Sequence, residues 1–202
     1  MKKYYTTISQ QPKEMLRLTA YENPGQNPVL ECSTPTHFPI IPLIRNTAKK
    51  GEQIKIVAVK PAYATTDYCL SVLKNELEAI KAEIGFEYGE IELIDTPISE
   101  IIDNHLDLFG KLIKTADDGD RIYADITYGT KPIPMILMMY MNYAYKFFRD
   151  ISIENVIYGA MDHSSKKSYI YDVSALFYMN STINSMKNVA DPEGFIRTII
   201  DM

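Results

Sequence analysis

Apolar residues along this chain follow two rhythms that take turns: alternate positions in short runs, and every third or fourth position in longer ones. Strands and helices that succeed one another in this way predict a largely parallel sheet with helices on its faces. Residues 3–8 read as a first strand, ended by Ser9, Gln10, Gln11 and Pro12. From 15 to 33 the pattern weakens, and the Asn23-Pro24-Gly25 turn signal predicts an irregular hairpin. Thr36 then caps an expected helix over 37–48, whose Pro39 and Pro42 lie in or near its first turn, where proline is tolerated.

A strand follows at 53–59. Residues 66–84 carry a clear helix, with Cys69, Leu70, Leu73, Leu77, Ile80 and Ile84 at helical spacing. A strand at 90–94 leads to Thr96-Pro97, a helix start with a capping hydroxyl and a proline in the first turn. That helix would bury Ile98, Ile101, Ile102, Leu106, Phe109 and Ile113, and end at Asp117-Asp118-Gly119. Residues 120–126 are a strand and 131–148 a helix apolar on nearly every side, so it is expected to be buried on several sides and to face a partner subunit as well as its own sheet. Strands at 152–158 and 168–173 are joined by a loop too short for a parallel crossover, so this last pair is antiparallel. Helices at 175–187 and 192–200 close the chain.

Composition narrows the classes of function. The 202 residues suffice for one core without staples, and 46% hydrophobic with 23% charged is ordinary for a globular domain. A net charge of -5 argues against wrapping long nucleic acid, but permits a small anion held by a local cluster of dipoles and cations. Cys32 and Cys69 form no CxxC pair and read as two free buried thiols of a cytoplasmic protein. The apolar stretch 133–144 is too short to span a bilayer, so no membrane segment is expected in this chain. His37, His105 and His163 have no metal-ligand spacing and read as structural or solvated; no metal and no cofactor are expected. Asp117, Asp118 and Asp120 read as a turn around Gly119.

The stretch with chemistry in it is Asp125-Ile126-Thr127-Tyr128-Gly129-Thr130-Lys131-Pro132. It is a buried strand, a small polar turn, then a helix opening on a lysine. Ligands of open α/β sheets bind beyond the carboxyl ends of the strands. A helix N-terminus offers free N–H groups and partial positive charge. Gly129 allows close backbone approach, Thr127 and Thr130 supply hydroxyls, and Lys131 a full cation. Asp125 would orient backbone N–H groups of the turn. The frame is neither a P-loop nor a dinucleotide fingerprint. Read without an anion, the same residues make a capped core helix with a solvated lysine. The polar loop after the first strand, from Thr6 to Gln11, would stand beside this turn if the first and fourth strands are neighbours.

The turn resembles the D-(I/L/V)-T-x-G-x-(R/K) motif of CARF domains, the sensors of type III CRISPR systems. Two further stretches are similar to the same family. Tyr158-Gly159-Ala160 with Tyr171-Asp172-Val173-Ser174 resembles its YGA and YDLT strands, and Thr36-His37-Phe38-Pro39-Ile40 with Pro42-Leu43-Ile44 its T-x-FxPxAL helix. The resemblance implies a Rossmann-like α/β domain over 1–174, with helices on both faces of a mostly parallel sheet and a C-terminal antiparallel strand. Residues 175–202 would be a helical extension, the start of an effector or linker. It implies a homodimer that binds a cyclic oligoadenylate, more often the tetra- than the hexa-adenylate, across its two-fold axis, and signals to a fused or partner effector. Lys131 would hold phosphate, Thr127, Tyr128, Gly129 and Thr130 would contact the ligand, and Ser9, Gln10 and Gln11 would line the pocket from the first loop.

The alternative within the family is a metal-independent ring nuclease. In it the ribose 2′-hydroxyl attacks its own phosphate to leave a 2′,3′-cyclic phosphate, with Lys131 stabilising charge and Ser9 orienting the ribose. Many relatives carry histidine where this chain has Tyr128, and tyrosine is no base near neutral pH, which weakens the catalytic case. Outside the family, a different Rossmann-like nucleotide-binding regulator fits the same turn.

Overall fold

The computed structural model describes residues 1–162, 164–186 and 191–200, with side chains as far as 198. His163 and the end of the helix expected to reach 187 lie outside them. Eight strands form one sheet: β1 (Lys2–Thr7), β2 (Tyr21–Glu22), β3 (Gln53–Pro61), β4 (Glu87–Tyr88), β5 (Glu92–Thr96), β6 (Arg121–Asp125), β7 (Ser152–Asp162) and β8 (Lys167–Asp172). The order is β2-β8-β7-β6-β1-β3-β4, with β5 also on β3. Every pairing is parallel except β7 with β8.

Helices α1 (Ile40–Thr47) and α2 (Thr66–Ile84) cover one face; α3 (Ile102–Ile113), α4 (Pro132–Phe147) and α5 (Ser174–Ser185) cover the other. A last helix, α6 (Pro192–Ile200), follows. This is the mixed, Rossmann-like α/β fold that the alternating pattern implies. From β1 the chain winds outward through β3 to β5, then returns to place β6 on the other side of β1. The crevice between β1 and β6 is thus the point where winding reverses, the usual ligand position in such sheets.

Strand β1 is central and buried along its whole length, although it begins with two lysines. Its side chains alternate between the two cores: Tyr4 and Ile8 pack toward α1 and α2, Tyr5 toward α3 and α4. The lysines lie at the amino edge, where charge finds a partner. Lys2 Nζ meets Glu52 at 2.7 Å, and Lys3 Nζ meets Asp120 at 2.6 Å with both side chains 2% exposed. Lys3 also donates to the Thr115 carbonyl at 2.6 Å. Asp117 pairs with Lys3 and Asp118 with Arg149, around Gly119 at φ +77°.

Three expectations are corrected. No hairpin forms between 15 and 33. The Asn23 turn closes, with Gln26 N–H on the Asn23 carbonyl at 3.1 Å, but Pro28 has no N–H for a ladder and enters a 3-10 turn (Pro28–Leu30). Tyr21–Glu22 pairs with β8 instead. Second, helix α3 starts at Ile102, not at Pro97, because Thr96 is still in the sheet: its carbonyl accepts from Ala62 N–H at 3.0 Å. Ile98, Ile101, Ile102 and Leu106 are therefore exposed, and Leu108 and Leu112 are the residues α3 buries. Third, Cys69 is buried but Cys32 is only half so. Helix α4 buries Ile133, Ile136, Leu137, Tyr140, Met141 and Ala144, and leaves Met135 (65%) and Met139 (56%) as an exposed stripe. The expected extension after 174 begins inside the core, where Phe177 is fully buried against α4 and β7.

Removing one member of a buried ion pair strands the other charge. Asp120→Ala, which leaves Lys3 only the exposed Asp117 as a carboxylate partner, is expected to lower the unfolding free energy by about 3 kcal/mol in urea denaturation. Glu52→Ala removes a carboxylate that is itself 28% exposed, so it should cost clearly less. Equal small losses would show that the Lys3–Asp120 contact is solvated.

Candidate functional site: the turn beyond β1 and β6

Three stretches far apart in sequence meet at the carboxyl end of the sheet. Asp125, the last residue of β6, is fully buried. Its carboxylate accepts the Thr127 N–H at 2.9 Å, the Thr127 hydroxyl, and more distantly the Thr6 hydroxyl at 3.4 Å. The Thr127 Oγ1 in turn accepts the Gly159 N–H at 2.7 Å, tying the turn to β7. A Cβ on Gly159 would lie 2.6 Å from Pro39 Cγ and 3.1 Å from Thr127 Oγ1, so the approach of the segment before α1 excludes any side chain there. Tyr128 completes the junction: its hydroxyl donates to the His37 carbonyl at 2.8 Å and its ring packs edge-on against Phe38. His37 is itself held by Glu76 of α2, through its N–H at 3.0 Å and its ring nitrogen at 2.6 Å.

Beyond this junction the chain enters α4. Gly129 has φ +105°, and a Cβ there would stand 3.2 Å from both Thr7 and Ile133. Lys131 occupies the N-cap, exposed and without an ion-pair partner among the described residues. The Thr7 Oγ1, Gln10 Oε1 and Thr130 Oγ1 atoms are buried with no hydrogen-bond partner among the described residues. The Thr130 hydroxyl lies near Glu100 and, with His105, holds that carboxyl below the usual range, without closing to a bond of normal length. Buried orphan groups each cost about 1–3 kcal/mol. Thr7 stands against Gly129 and Thr130 precedes α4, so two of these orphans lie at a helix N-terminus beside a free cation, where an anionic, hydrogen-bonding ligand would satisfy them.

A cavity of about 260 Å³ opens beside the turn. Gln11, Thr127 and Tyr128, all expected at the site, line it; so do Arg17, Tyr21, Met161 and Ser168, which the sequence did not single out. Burial pushes the Tyr21 phenol up to about 12 and raises Tyr128 further, so both rings are neutral walls. Thr130, Gly129 and Lys131 lie over the start of α4. Ser9 is brought to neither place. It is fully buried, its Oγ accepting the Gln11 N–H at 3.2 Å, so it shapes the first loop from beneath. Gln10 is half-buried, and its carbonyl accepts from Thr65 at 2.8 Å. No group of metal-ligating side chains occurs among the described residues, and no helix there is long and apolar enough to cross a membrane.

No protein-family model matches the chain. Over 89 residues it is 30% identical to a CRISPR-associated protein of Methanocaldococcus jannaschii. That stretch is 43% of this chain and 14% of the relative, so the similarity covers a small part of a much longer protein.

Burial without a cation pushes the Asp125 carboxyl up to about 6. A carboxyl raised in the folded state contributes most below its unfolded value, near 4, and loses that contribution as pH rises through 6. Asparagine keeps an acceptor for Thr127 and does not ionise. The unfolding free energy of the wild type, relative to Asp125→Asn, is therefore expected to fall by roughly 3 kcal/mol between pH 4 and pH 7. A difference that does not change with pH would show that Asp125 is solvated.

Proposed function

We propose that this chain is a CARF-type sensor domain of type III CRISPR defence, and that it binds a cyclic oligoadenylate across a homodimer. The observation that carries the reading is the Asp125–Lys131 turn, with a free lysine and unpartnered threonine hydroxyls at the β1–β6 reversal point. The similarity to a CRISPR-associated protein gives the setting. Lys131 and the α4 N-terminus hold phosphate; Thr7, Thr130 and Gln10 offer hydrogen bonds to phosphate or ribose. A ring with two-fold symmetry suits a two-fold dimer, because each half makes the same contacts.

The dimer surface in this reading is the exposed apolar stripe of α4, Met135 and Met139, with Ile98, Ile101, Ile102 and Leu106 on and before the neighbouring α3. The stripe begins one turn from Lys131, so pairing two copies there sets two phosphate sites side by side. Burial of Ser9 removes the residue assigned to orient the ribose for ring cleavage, which favours sensing over cleavage.

The test mixes the protein with cyclic tetra-adenylate and cyclic hexa-adenylate in the absence of metal, following binding by calorimetry and products by chromatography. One intact ring per dimer is expected, with Lys131→Ala weakening binding about 10- to 100-fold, the worth of a charge-assisted bond. Met139→Glu should yield monomers in sedimentation and lose the ring. Products ending in a 2′,3′-cyclic phosphate would make the protein a nuclease. Binding of neither ring would overturn the reading.

A further inference from the structure

The chain between β5 and α3 leaves a carboxylate at the rim of the phosphate site, and nothing in the proposed ligand calls for one. Residues 97–101 follow the carboxyl end of β5, and two side chains from the first turn of α3 hold them in place. Asn104 Nδ2 donates to the Ser99 carbonyl at 2.8 Å, and the His105 ring N–H donates to the Glu100 carboxylate at 2.8 Å. Helices α3 and α4 pack side by side, so Glu100 is delivered to the start of α4, next to Thr130. Among the described residues its ion-pair partner is His105, and not Lys131.

A carboxylate is out of place as a ligand for phosphate, since it accepts hydrogen bonds and cannot donate them. Thr130 and His105 nevertheless keep it ionised, below the usual carboxylate range. Glu100 is 44% exposed and His105 21%, so the pair forms a rim and is not part of the core. The site it borders has its own buried marker: Thr7, fully buried with an unpartnered Oγ1 among the described residues, stands against Gly129.

We propose that Glu100 is a charge filter: held at the rim by His105, it turns the site away from terminal phosphates and toward the internal phosphodiesters of a closed ring. This rests on the reading of the chain as a binder of a cyclic oligoadenylate. A phosphate monoester carries close to two negative charges at neutral pH, because its second proton leaves at about pH 6; a diester carries one. Interaction with a fixed charge is proportional to the charge of the ligand. A lone Lys131 would therefore favour mononucleotides and chains with phosphorylated ends over a ring made only of diesters. A carboxylate beside it takes that preference away. Where Glu100 weakens a diester by some factor, it weakens a monoester by the square of that factor. His105 is a positioning residue, acting through Glu100.

The experiment titrates AMP, a monoester, and 3′,5′-cyclic AMP, a diester of the same nucleoside, into the full chain. Binding is followed on the backbone amides of Gly129 and Thr130 by NMR, beside calorimetry with cyclic tetra-adenylate. Glu100→Gln keeps the shape of a half-exposed side chain and removes its charge, so the melting temperature should hold. It is expected to tighten cyclic AMP about threefold and AMP about tenfold. His105→Ala, which unties the carboxylate, should move the ratio of the two affinities the same way by less, and His105→Gln, which keeps a donor, should bring it back toward the wild type. A merely structural role would move both nucleotides by one common factor. Equal factors, or no change, overturn the filter, and a ring bound by the wild type then leaves the ring reading standing. If the nucleotides separate as expected but no ring binds, the filter stands and the ring reading falls. If none of the three ligands perturbs Gly129, both fall.

Discussion

The structure hangs on a buried carboxylate that has no cation. Asp125 sits at the end of a central strand and spends its acceptor capacity on the Thr127 N–H and hydroxyl. Thr127 passes the constraint to Gly159 of the next strand. With one residue immobilised between two strands, the chain can leave β6, cross the sheet edge and enter α4 with its first turn fixed. Without that fixture the helix would start, but its lysine and the threonines before it would have no defined position relative to β1. Keeping a carboxyl in an apolar place is costly, and the raised pKa measures that cost. A side chain kept there despite it serves the positioning of something else.

The two edges of the sheet are treated in opposite ways. At the amino edge every buried charge is matched: Lys2 with Glu52, Lys3 with Asp120 and the Thr115 carbonyl. At the carboxyl edge, hydroxyls and an amide are buried and left unmatched, and a lysine is free. The unmatched hydroxyls and amide beside a free lysine make the carboxyl edge the end available for recognition. Protein interiors rarely tolerate orphan groups without such a reason.

Much of this was legible in the sequence because it depends on periodicity or local chemistry. The helix over residues 66–84 came out with those limits, since six apolar residues fix its face and Gly85 stops it at φ +84°. The parallel character of the sheet followed from the alternation of elements, but the pairing of β1 with β6, which the site requires, was only a condition there and is given by the structure. The convergence of the turn, the Gly159 strand and the Pro39 segment was not legible, because those contacts span 32 residues in one case and 91 in another. Thr96-Pro97 misled because its capping chemistry is genuine, yet the backbone there is already taken by the sheet. Ser9 is fully buried beneath the first loop, and no local signal in the sequence marks that burial. Tyr21, Ser168 and Met161 carry no local signal; only the register of three strands brings them together.

The contact between Gly159 and Pro39 has a consequence for descent. A Cβ on Gly159 would stand 2.6 Å from Pro39 Cγ, so the strand has no room there for a side chain while the proline is in place. The two positions, 120 residues apart in the chain, are not free to drift independently. A lineage that replaced the proline with something smaller would relieve the tightest contact of an alanine in the strand, leaving only the looser one with Thr127, whereas the reverse order of events passes through a strained ancestor. Homologous chains should therefore show these two sites changing as a pair or not at all, and always in the same historical order.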